Sequence, residues 1–516
     1  MRLADYFDAA ASRFPSRTAF VDGAVRIDFA DAQRFVHAVA HALAAEPSLA
    51  AGAHVAIYAP NDYRVSLLQI AINRADMAWV AVHTRNSVET NIQVLEYADV
   101  QLVFFHSAYE RLVPQLRSGL APTCRFISID APSADGRYLA DWTASHGTPF
   151  CAGPEEPDRT VLLQPTGGTT GPSKAAVHTN RSVEMGIVST FVNLGMDSET
   201  RVLAVAPLTH AASYLTFASA ARGGMTVVLP AFDVEAVLAA IERDRITHLF
   251  VPPTVIYTLI GDSRTASADL SSLRAVLVGG APIAPEKMRE AIRRLGPVIY
   301  EVFAQSECLC CLIKKPADYL RPDGSLDEGV LRSAGQPGPF GWVEIMDESG
   351  NLAGPGVKGE IVVKSTSVMK GYYKNPGQTA EVSAFGWHHT TDVGVRDERG
   401  FITVLDRTRD MIVSGGFNLF PSEIEAVINS HPAVLDCAVV GVPDEKWGEA
   451  AKAVVQLKAG KTLSADEVIV MCKTALGSLK TPKSVEFWPD LPRSAVGKVL
   501  KRDIRARFWE GQWRAV

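Results

Sequence analysis

A chain of 516 residues exceeds what one hydrophobic core can organise, so two or more domains are expected. With 47% hydrophobic and 21% charged residues and a formal net charge of -6, the composition is that of an ordinary soluble globular protein and gives no argument for a nucleic-acid partner. Seven cysteines, an odd and dilute number, exclude a disulfide scaffold and point to a reducing compartment.

The N-terminal residues carry Asp5 and Asp8 where a signal peptide needs an apolar run, so a cytoplasmic protein is expected. A strand-like run at 55–58 precedes a helical pattern at 63–72, and another at 102–105 precedes a helical one at 110–113. The stretch 202–221 lacks formal charge for about the length of a membrane span. Pro207, Thr209, His210, Ser213 and Thr216 make it too polar for lipid, and it reads as a buried strand, loop and helix. A strand at 226–229 leads into a helix at 234–241, and a strand at 248–251 meets Pro252 and Pro253. This alternation predicts α/β layers with largely parallel sheets.

From about residue 335 the texture changes. Gly and Pro become frequent, and short β-rich runs at 359–364 and 401–405 predict a smaller β-rich subdomain. The charged cluster Asp406, Arg407, Thr408, Arg409, Asp410 then separates a final segment with its own βαβ character: a helix at 423–429 and strands at 438–440 and 453–455. The expected fold class is α/β: a large N-terminal domain (1–405) of layered α/β sheets with a β-rich subdomain, a hinge (406–410), and a small α+β C-terminal domain (411–516). The sequence shows neither internal repeats nor low-complexity tracts.

The most informative stretch is 164–174, where Thr166, Gly167, Gly168, Thr169, Thr170 and Gly171 run toward Lys174. Glycines permit close approach of backbone to a ligand, and exposed N–H groups, hydroxyls and a lysine suit a polyphosphate. It is not a Walker A loop, because Pro172 and Ser173 stand between the last glycine and the lysine. Alone, it is equally compatible with a surface turn.

Other candidates are weaker singly. His210, in Pro207-Leu208-Thr209-His210, has a satisfied core histidine as its ordinary alternative. Ser306 and Glu307 end the run 300–307, where a hydroxyl beside a carboxylate suits a phosphate oxygen and Mg²⁺; a solvated strand-end acid is the alternative. Asp392, after Trp387, His388, His389, Thr390 and Thr391, could accept both hydroxyls of a ribose or cap a turn. Ser414, Gly415, Gly416, Phe417 and Asn418 look like a loop opening into a capped helix at Pro421. Lys498 follows Gly497 in a short polar loop and reads first as a surface charge. Cys308 and Cys311 form a C-x-x-C without a second pair at zinc-site spacing, so buried free thiols are expected.

Taken in order over more than 330 residues, these motifs resemble the adenylate-forming superfamily of acyl- and aryl-CoA synthetases, peptide adenylation domains and luciferases. The phosphate stretch resembles its T-[SG]-G-T-T-G-x-P-K-G, residues 207–210 its P-L-x-H, 303–307 its Y-G-x-[TS]-E and 390–392 its T-G-D. Residues 406–425 resemble its [GD]-R-x-K-D…G-G-x-N-x-x-P-x-E-I-E, and 492–498 its P-x-x-x-x-G-K. The resemblance covers essentially the whole chain and implies ATP-dependent activation of a carboxylic acid to an acyl-adenylate, then thioester formation with coenzyme A. It implies ATP, Mg²⁺ and coenzyme A as cofactors, with a mobile C-terminal domain that rotates between the half-reactions about Arg409.

Carried over by motif, Thr166, Gly167, Gly168, Thr169, Thr170, Gly171 and Lys174 would cradle the β- and γ-phosphates, Ser306 the α-phosphate, and Glu307 the Mg²⁺. Phe303 would stack on adenine, whose polar edge would meet backbone at Gly280, Ala281 and Pro282. Asp392 and Arg407 would fix the ribose, and Lys498 would bridge the attacking carboxylate and the α-phosphate. Gly415 and Gly416 would line a pantetheine tunnel, with Trp447, and more weakly Lys480 and Lys483, toward the CoA nucleotide. His210 would gate or line the acyl pocket.

The sequence departs from the family pattern at Ser173 (usually Pro), Ala175 (Gly), Thr391 (Gly), Phe303 (Tyr) and Ala304 (Gly). A methyl at Ala304 should narrow the acyl channel, so a small, medium-chain or branched acyl group, such as a fatty acid, is expected over a bulky aromatic one. Loading of a carrier-protein phosphopantetheine is the alternative within the same chemistry, and a non-catalytic binding protein is the alternative outside it. A homodimer and a lysine acetyltransferase acting on Lys498 complete the expected partners.

Overall fold

The computed structural model describes residues 1–166, 174–407, 410–414, 417–444, 447–494 and 497–510. Gly167, Gly168, Thr169, Thr170, Gly171, Arg409, Gly415 and Gly416 lie outside the described residues.

Among the described residues the chain builds four sheets, of nine, eight, four and five strands. The first is parallel through its middle, in the order Ile299–Phe303, Ala275–Gly279, His248–Val251, Arg201–Ala204, Met225–Val228 and Thr18–Asp22. The second is parallel from Thr160–Thr166 through Ala78–Val80, His54–Tyr58 and Val100–Phe105 to Arg125–Ser128. At its other side the second sheet turns antiparallel, with Lys174–Thr179 and then Gly371–Tyr372. The expected α/β layering with parallel sheets is the fold found.

Why these runs are so apolar is explained by burial on two faces. Val55 and Ile57 point into one core, Ala56 and Tyr58 into another. Val202 and Ala204 enter the first of these cores, while Leu203 and Val205 face a third. The first core therefore lies between the two large sheets. It is filled by the helices Phe29–Ala45, Tyr63–Arg74 and Ala212–Arg222, with further helices covering the outer faces. A strand buried on both faces reads as a continuous apolar run, and full burial of a side chain such as Phe104 contributes roughly 2–3 kcal/mol.

The helices start and stop as their sequences dictate. Phe29–Ala45 is capped by Asp28, whose carboxylate accepts the Asp31 N–H, and buries Phe29, Ala32, Val36, Val39, Ala40 and Leu43 along one stripe. Asn180–Leu194 opens with a capping box between Thr179 and Ser182 and ends at Gly195, whose φ of 62° is the left-handed conformation of a helix stop. The run at 110–113 differs from the sequence reading: a 3₁₀ helix, Ser107–Leu112, passes into a short α-helix, Val113–Ser118, starting at Val113 and Pro114.

Strand Ile299–Phe303 turns back antiparallel into Leu312–Lys314. Lys314, fully buried, pairs with Glu301 at 2.8 Å and donates to the carbonyls of Val330 (3.1 Å) and Ser333 (2.5 Å). A buried ion pair whose remaining donors are taken up locks register, since a slip would strand both charges.

The β-rich subdomain is the four-stranded antiparallel sheet Gly341–Met346, Lys358–Ser365, His388–Arg396, Ile402–Arg407. Asp406 and Arg407 end its last strand, and the next strand, Ile412–Ser414, belongs to the five-stranded sheet. In that sheet the strands expected at 438–440 and 453–455 are one long antiparallel pair, Val434–Asp444 with Gly448–Leu457. The βαβ unit begins with the second of them, where Gly448–Leu457, helix Ala465–Leu476 and the parallel strand Ser484–Phe487 follow in order. The helix Pro421–Asn429 lacks a side-chain cap of its own; Asp406 Oδ2 accepts the Ser422 N–H at 3.0 Å. Among the described residues no helix is long and apolar enough to cross a membrane.

Candidate active site

In a parallel sheet, ligand sites form beyond the carboxyl ends of the strands. The register Gly279↔Val302 brings the ends of two neighbouring strands together, so Gly280, Ala281 and Pro282 leave their strand beside Phe303. Gly280 has a φ of 88° with open space around it, a backbone turn that a side chain would strain. Phe303 is half-buried, and the chain then runs through exposed Ala304 into the loop with Gln305, Ser306 and Glu307.

This loop is gripped from several directions. His178 Nε2 lies 2.7 Å from the Ser306 carbonyl, and a carbonyl only accepts, so Nε2 carries the proton. Burial lowers the His178 pKa to about 4, which fixes the ring as neutral. Gln305 Nε2 donates to the Thr390 carbonyl at 2.9 Å and to Asp392 Oδ2 at 2.7 Å, tying the loop to the β-rich subdomain. The Tyr372 hydroxyl donates to Glu307 Oε1 at 2.7 Å.

Asp392 is buried within a bulge. Between the pairs Val362↔His389 and Glu360↔Val393, one strand spends a single residue, Ile361, while the other spends Thr390, Thr391 and Asp392. Such bulges re-aim side chains. Thr391 takes a φ of 61°, the left-handed region that disfavours a β-branched residue, and this is why the family pattern has glycine there. Glu360 stabilises the turn, accepting the Thr391 N–H through Oε1 and facing His389 Nδ1 through Oε2, each at 2.8 Å. Arg407 is the backbone partner of Asp392 on the adjoining strand.

Thr166 and Lys174 are direct partners in the antiparallel ladder, so both ends of the Gly/Thr-rich stretch are pinned side by side. Lys174 Nζ stands 5.5 Å from the ring centroid of Tyr372, the residue that also contacts Glu307. His210 lies at the foot of the helix Ala212–Arg222, its ring edge-on to His83 with centroids 4.9 Å apart. It is only partly accessible; desolvation, then the neighbouring His83, lowers its pKa to about 3, and desolvation lowers His83 to about 4.

The C-terminal unit contributes the last piece. Gly497, at φ 83°, abuts the helix Pro253–Gly261: a Cβ there would sit 3.7 Å from Thr254 Oγ1. The exposed Lys498 follows it, its N–H bonded to Ser494 Oγ at 3.2 Å. The structure thus gathers the ends of the phosphate stretch, the 303–307 loop and Asp392 through shared contacts, and sets Gly497, the neighbour of Lys498, against the helix Pro253–Gly261. Trp447 lies instead in the turn between the long strands of the C-terminal unit, 40% exposed, its N–H bonded to Asp444. Lys480 is taken up by Glu423 at 2.5 Å.

Among the described residues no group of three or more His, Cys, Asp and Glu side chains is arranged to hold a metal. Glu307 presents a single carboxylate, which fits Mg²⁺, because that ion takes one or two carboxylates and completes its shell from phosphates and water. Cys308 and Cys311 are fully buried in an apolar cluster with Leu312, Val343 and Ile361, as free thiols. Sequence reasoning missed Gln305, His178, Glu360 and Tyr372 as parts of this site. Each acts on a partner remote in the chain, and no local pattern marks it.

Burial also lowers His388 to about 4. For His83, His178 and His388 the folded values lie below the ordinary 6.5, so the unfolded chain binds more protons beneath that pH. Their contribution to stability is complete above pH 6.5 and is lost as the pH falls toward 4. Thermal melts between pH 7 and 4 should fall steeply, and the ring signals of these residues in NMR should show no titration above pH 5. Thr391→Gly should relieve the left-handed strain and stabilise the fold by about 1 kcal/mol in urea unfolding.

Over residues 7–373 the chain matches the AMP-binding enzyme family, and over 423–498 the AMP-binding enzyme C-terminal domain. It is 34% identical over 502 residues to a feruloyl-CoA synthase from an Amycolatopsis species, covering 96% of each chain. It is 38% identical over 401 residues to the medium/long-chain-fatty-acid–CoA ligase FadD8 of Mycobacterium tuberculosis, covering 76% of this chain and 68% of that one. The solved amide bond synthetase McbA from Marinactinospora thermotolerans has a TM-score of 0.89 at 29% identity, covering 98% of this chain and 100% of its own. The ordered motifs, the two large sheets that present them and the separate C-terminal match agree, and the chain belongs to the AMP-binding enzymes.

Proposed function

We propose that this enzyme is an AMP-forming acid–thiol ligase: it joins a small carboxylic acid to AMP with release of pyrophosphate, then passes the acyl group to coenzyme A. The observation that supports this reading is the approach of Gly497 to Thr254, which puts the neighbour of Lys498 beside the helix that follows strand His248–Val251, in the same sheet as the strand leading to Ser306 and Glu307. A carboxylate attacking a triphosphate brings two anions together, so positioned cations and donors must do most of the work. Lys498 is the cation assigned to the attacking carboxylate and the α-phosphate. Ser306 would hold the α-phosphate, while Thr166, Thr169, Thr170 and Lys174, with the backbone of Gly167, Gly168 and Gly171, would receive the departing pyrophosphate.

Magnesium, held by Glu307 and the phosphates, would supply charge neutralisation. The adenosine would lie across the strand ends, adenine between Phe303 and the backbone of Gly280, Ala281 and Pro282, and ribose on Asp392 and Arg407. His210, neutral at working pH, would line the acyl entrance rather than act as a base.

For the second half-reaction the proposal keeps the division 1–405, hinge 406–410 and 411–516, with rotation about Arg409 placing Gly415, Gly416 and Trp447 on the thiol path. The passage from one sheet to another between Arg407 and Ile412 supports that boundary. A cytoplasmic location, a homodimer and reversible acetylation of Lys498 by a lysine acetyltransferase belong to the same reading. Coenzyme A is favoured over a carrier protein, since the chain is similar along almost all of its length to a feruloyl-CoA synthase.

Two measurements test this. A pyrophosphate-release panel of aliphatic and aromatic acids with coenzyme A should show thiol-dependent turnover without any carrier protein. It also decides between the aliphatic chain expected from Ala304 and the aromatic acids named in the relatives. Turnover only with an amine or a loaded carrier would replace the acceptor. Lys498→Ala should lower acyl-adenylate formation by about 10²–10³-fold while leaving thioester formation from supplied acyl-adenylate unchanged; equal loss of both steps would refute the assigned role.

A further inference from the structure

Tyr372 has no part in the scheme above, yet it touches two of its charged groups. It ends the two-residue strand Gly371–Tyr372, paired antiparallel to Lys174–Thr179 with Tyr372 opposite Ala176. Neighbouring backbone extends the attachment: the Lys370 N–H donates to the Val177 carbonyl and the Tyr373 N–H to the Ala175 carbonyl, each at 2.8 Å. The Tyr372 N–H donates to Thr379 Oγ1 at 2.9 Å, and the Met369 N–H to the Glu307 carbonyl at 2.8 Å. The segment is therefore a strap from the strand after the phosphate stretch to the loop bearing Glu307.

The side chain repeats that connection. Its hydroxyl donates to Glu307 Oε1 at 2.7 Å, and its ring carries Lys174 Nζ at 5.5 Å from the centroid.

We propose that Tyr372 is a positioning residue for the metal and triphosphate end of the site, an inference that rests on the assignment of Glu307 to Mg²⁺. A carboxylate with one oxygen held by an O–H donor cannot swivel, which leaves Oε2 to face the ion. Partners of this kind orient metal ligands, and losing one typically costs 10–100-fold in metal affinity or activity. The ring face attracts the Lys174 ammonium and keeps it from collapsing onto Glu307 before the nucleotide arrives.

Calorimetric titration of ATP over a Mg²⁺ series, without acid or coenzyme A, reads the metal contribution apart from turnover. In Tyr372→Phe the Mg²⁺ concentration needed for half-maximal tightening should rise about tenfold. Metal-free ATP binding should not move. Tyr372→Leu, which removes the ring as well, should also weaken metal-free ATP binding. Tyr372→His, which keeps a ring donor, should fall between wild type and Tyr372→Phe, and it carries the test if Tyr372→Phe folds poorly. An unchanged Mg²⁺ dependence in a folded variant overturns the proposal and leaves the ligase reading standing. A wild-type enzyme whose ATP binding ignores Mg²⁺ overturns the assignment of Glu307 itself.

Discussion

The loop 304–308 is tied to several remote parts of the molecule at once, and the geometry of the site depends on that constraint. The backbone of Gln305 and Cys308 closes a tight turn through reciprocal bonds of 2.9 and 3.2 Å. From there the Ser306 carbonyl goes to His178 of the second large sheet, the Gln305 side chain to Asp392 of the β-rich subdomain, and the Glu307 carbonyl to Met369. Leaving a buried polar group without a partner costs roughly 1–3 kcal/mol, so the three units cannot drift apart without breaking several such bonds together. Geometry that would otherwise depend on a flexible strand-end turn is set by the packing of whole sheets.

Buried neutral histidines extend the same logic. His178 shows the general case: a ring held neutral by desolvation can serve as a fixed donor to a carbonyl, with no counter-ion required. His83 and His210 meet with one ring edge-on to the other in the same state, so neither adds a positive charge there. Of the cations assigned to the nucleotide, Lys174 stands at the end of the antiparallel ladder and Lys498 on the C-terminal unit. In the proposed scheme electrostatic recognition is split between a fixed element and the unit assigned to move.

The layered α/β architecture was legible in the sequence because strands covered on both faces have no polar side to dilute the signal, as at 55–58 and 202–205. The long pair Val434–Asp444 with Gly448–Leu457 was read as parts of a βαβ unit, since periodicity gives strand positions and not pairing direction. Of the site, the order of motifs was readable, but the contacts among them were not. Gln305 and Asp392, or Tyr372 and Glu307, meet only after two sheets have packed. Thr391 looked like an unexplained exception in the motif. Its backbone angle shows what the position demands, and Glu360 shows how a threonine is held there.

The strap that ends at Tyr372 has a second effect, on solubility. Gly371–Tyr372 is the outermost strand of the eight-stranded sheet, covering the free edge that Lys174–Thr179 would otherwise present. An open edge is a template for pairing with another chain, whereas an edge two residues long offers too few N–H and C=O groups to extend. Loosening this segment would uncover the strand Lys174–Thr179, with its apolar run Ala175 to Val177, in the same event that releases Glu307. The few residues that hold the Glu307 carboxylate are thus also the ones that close the edge of the sheet.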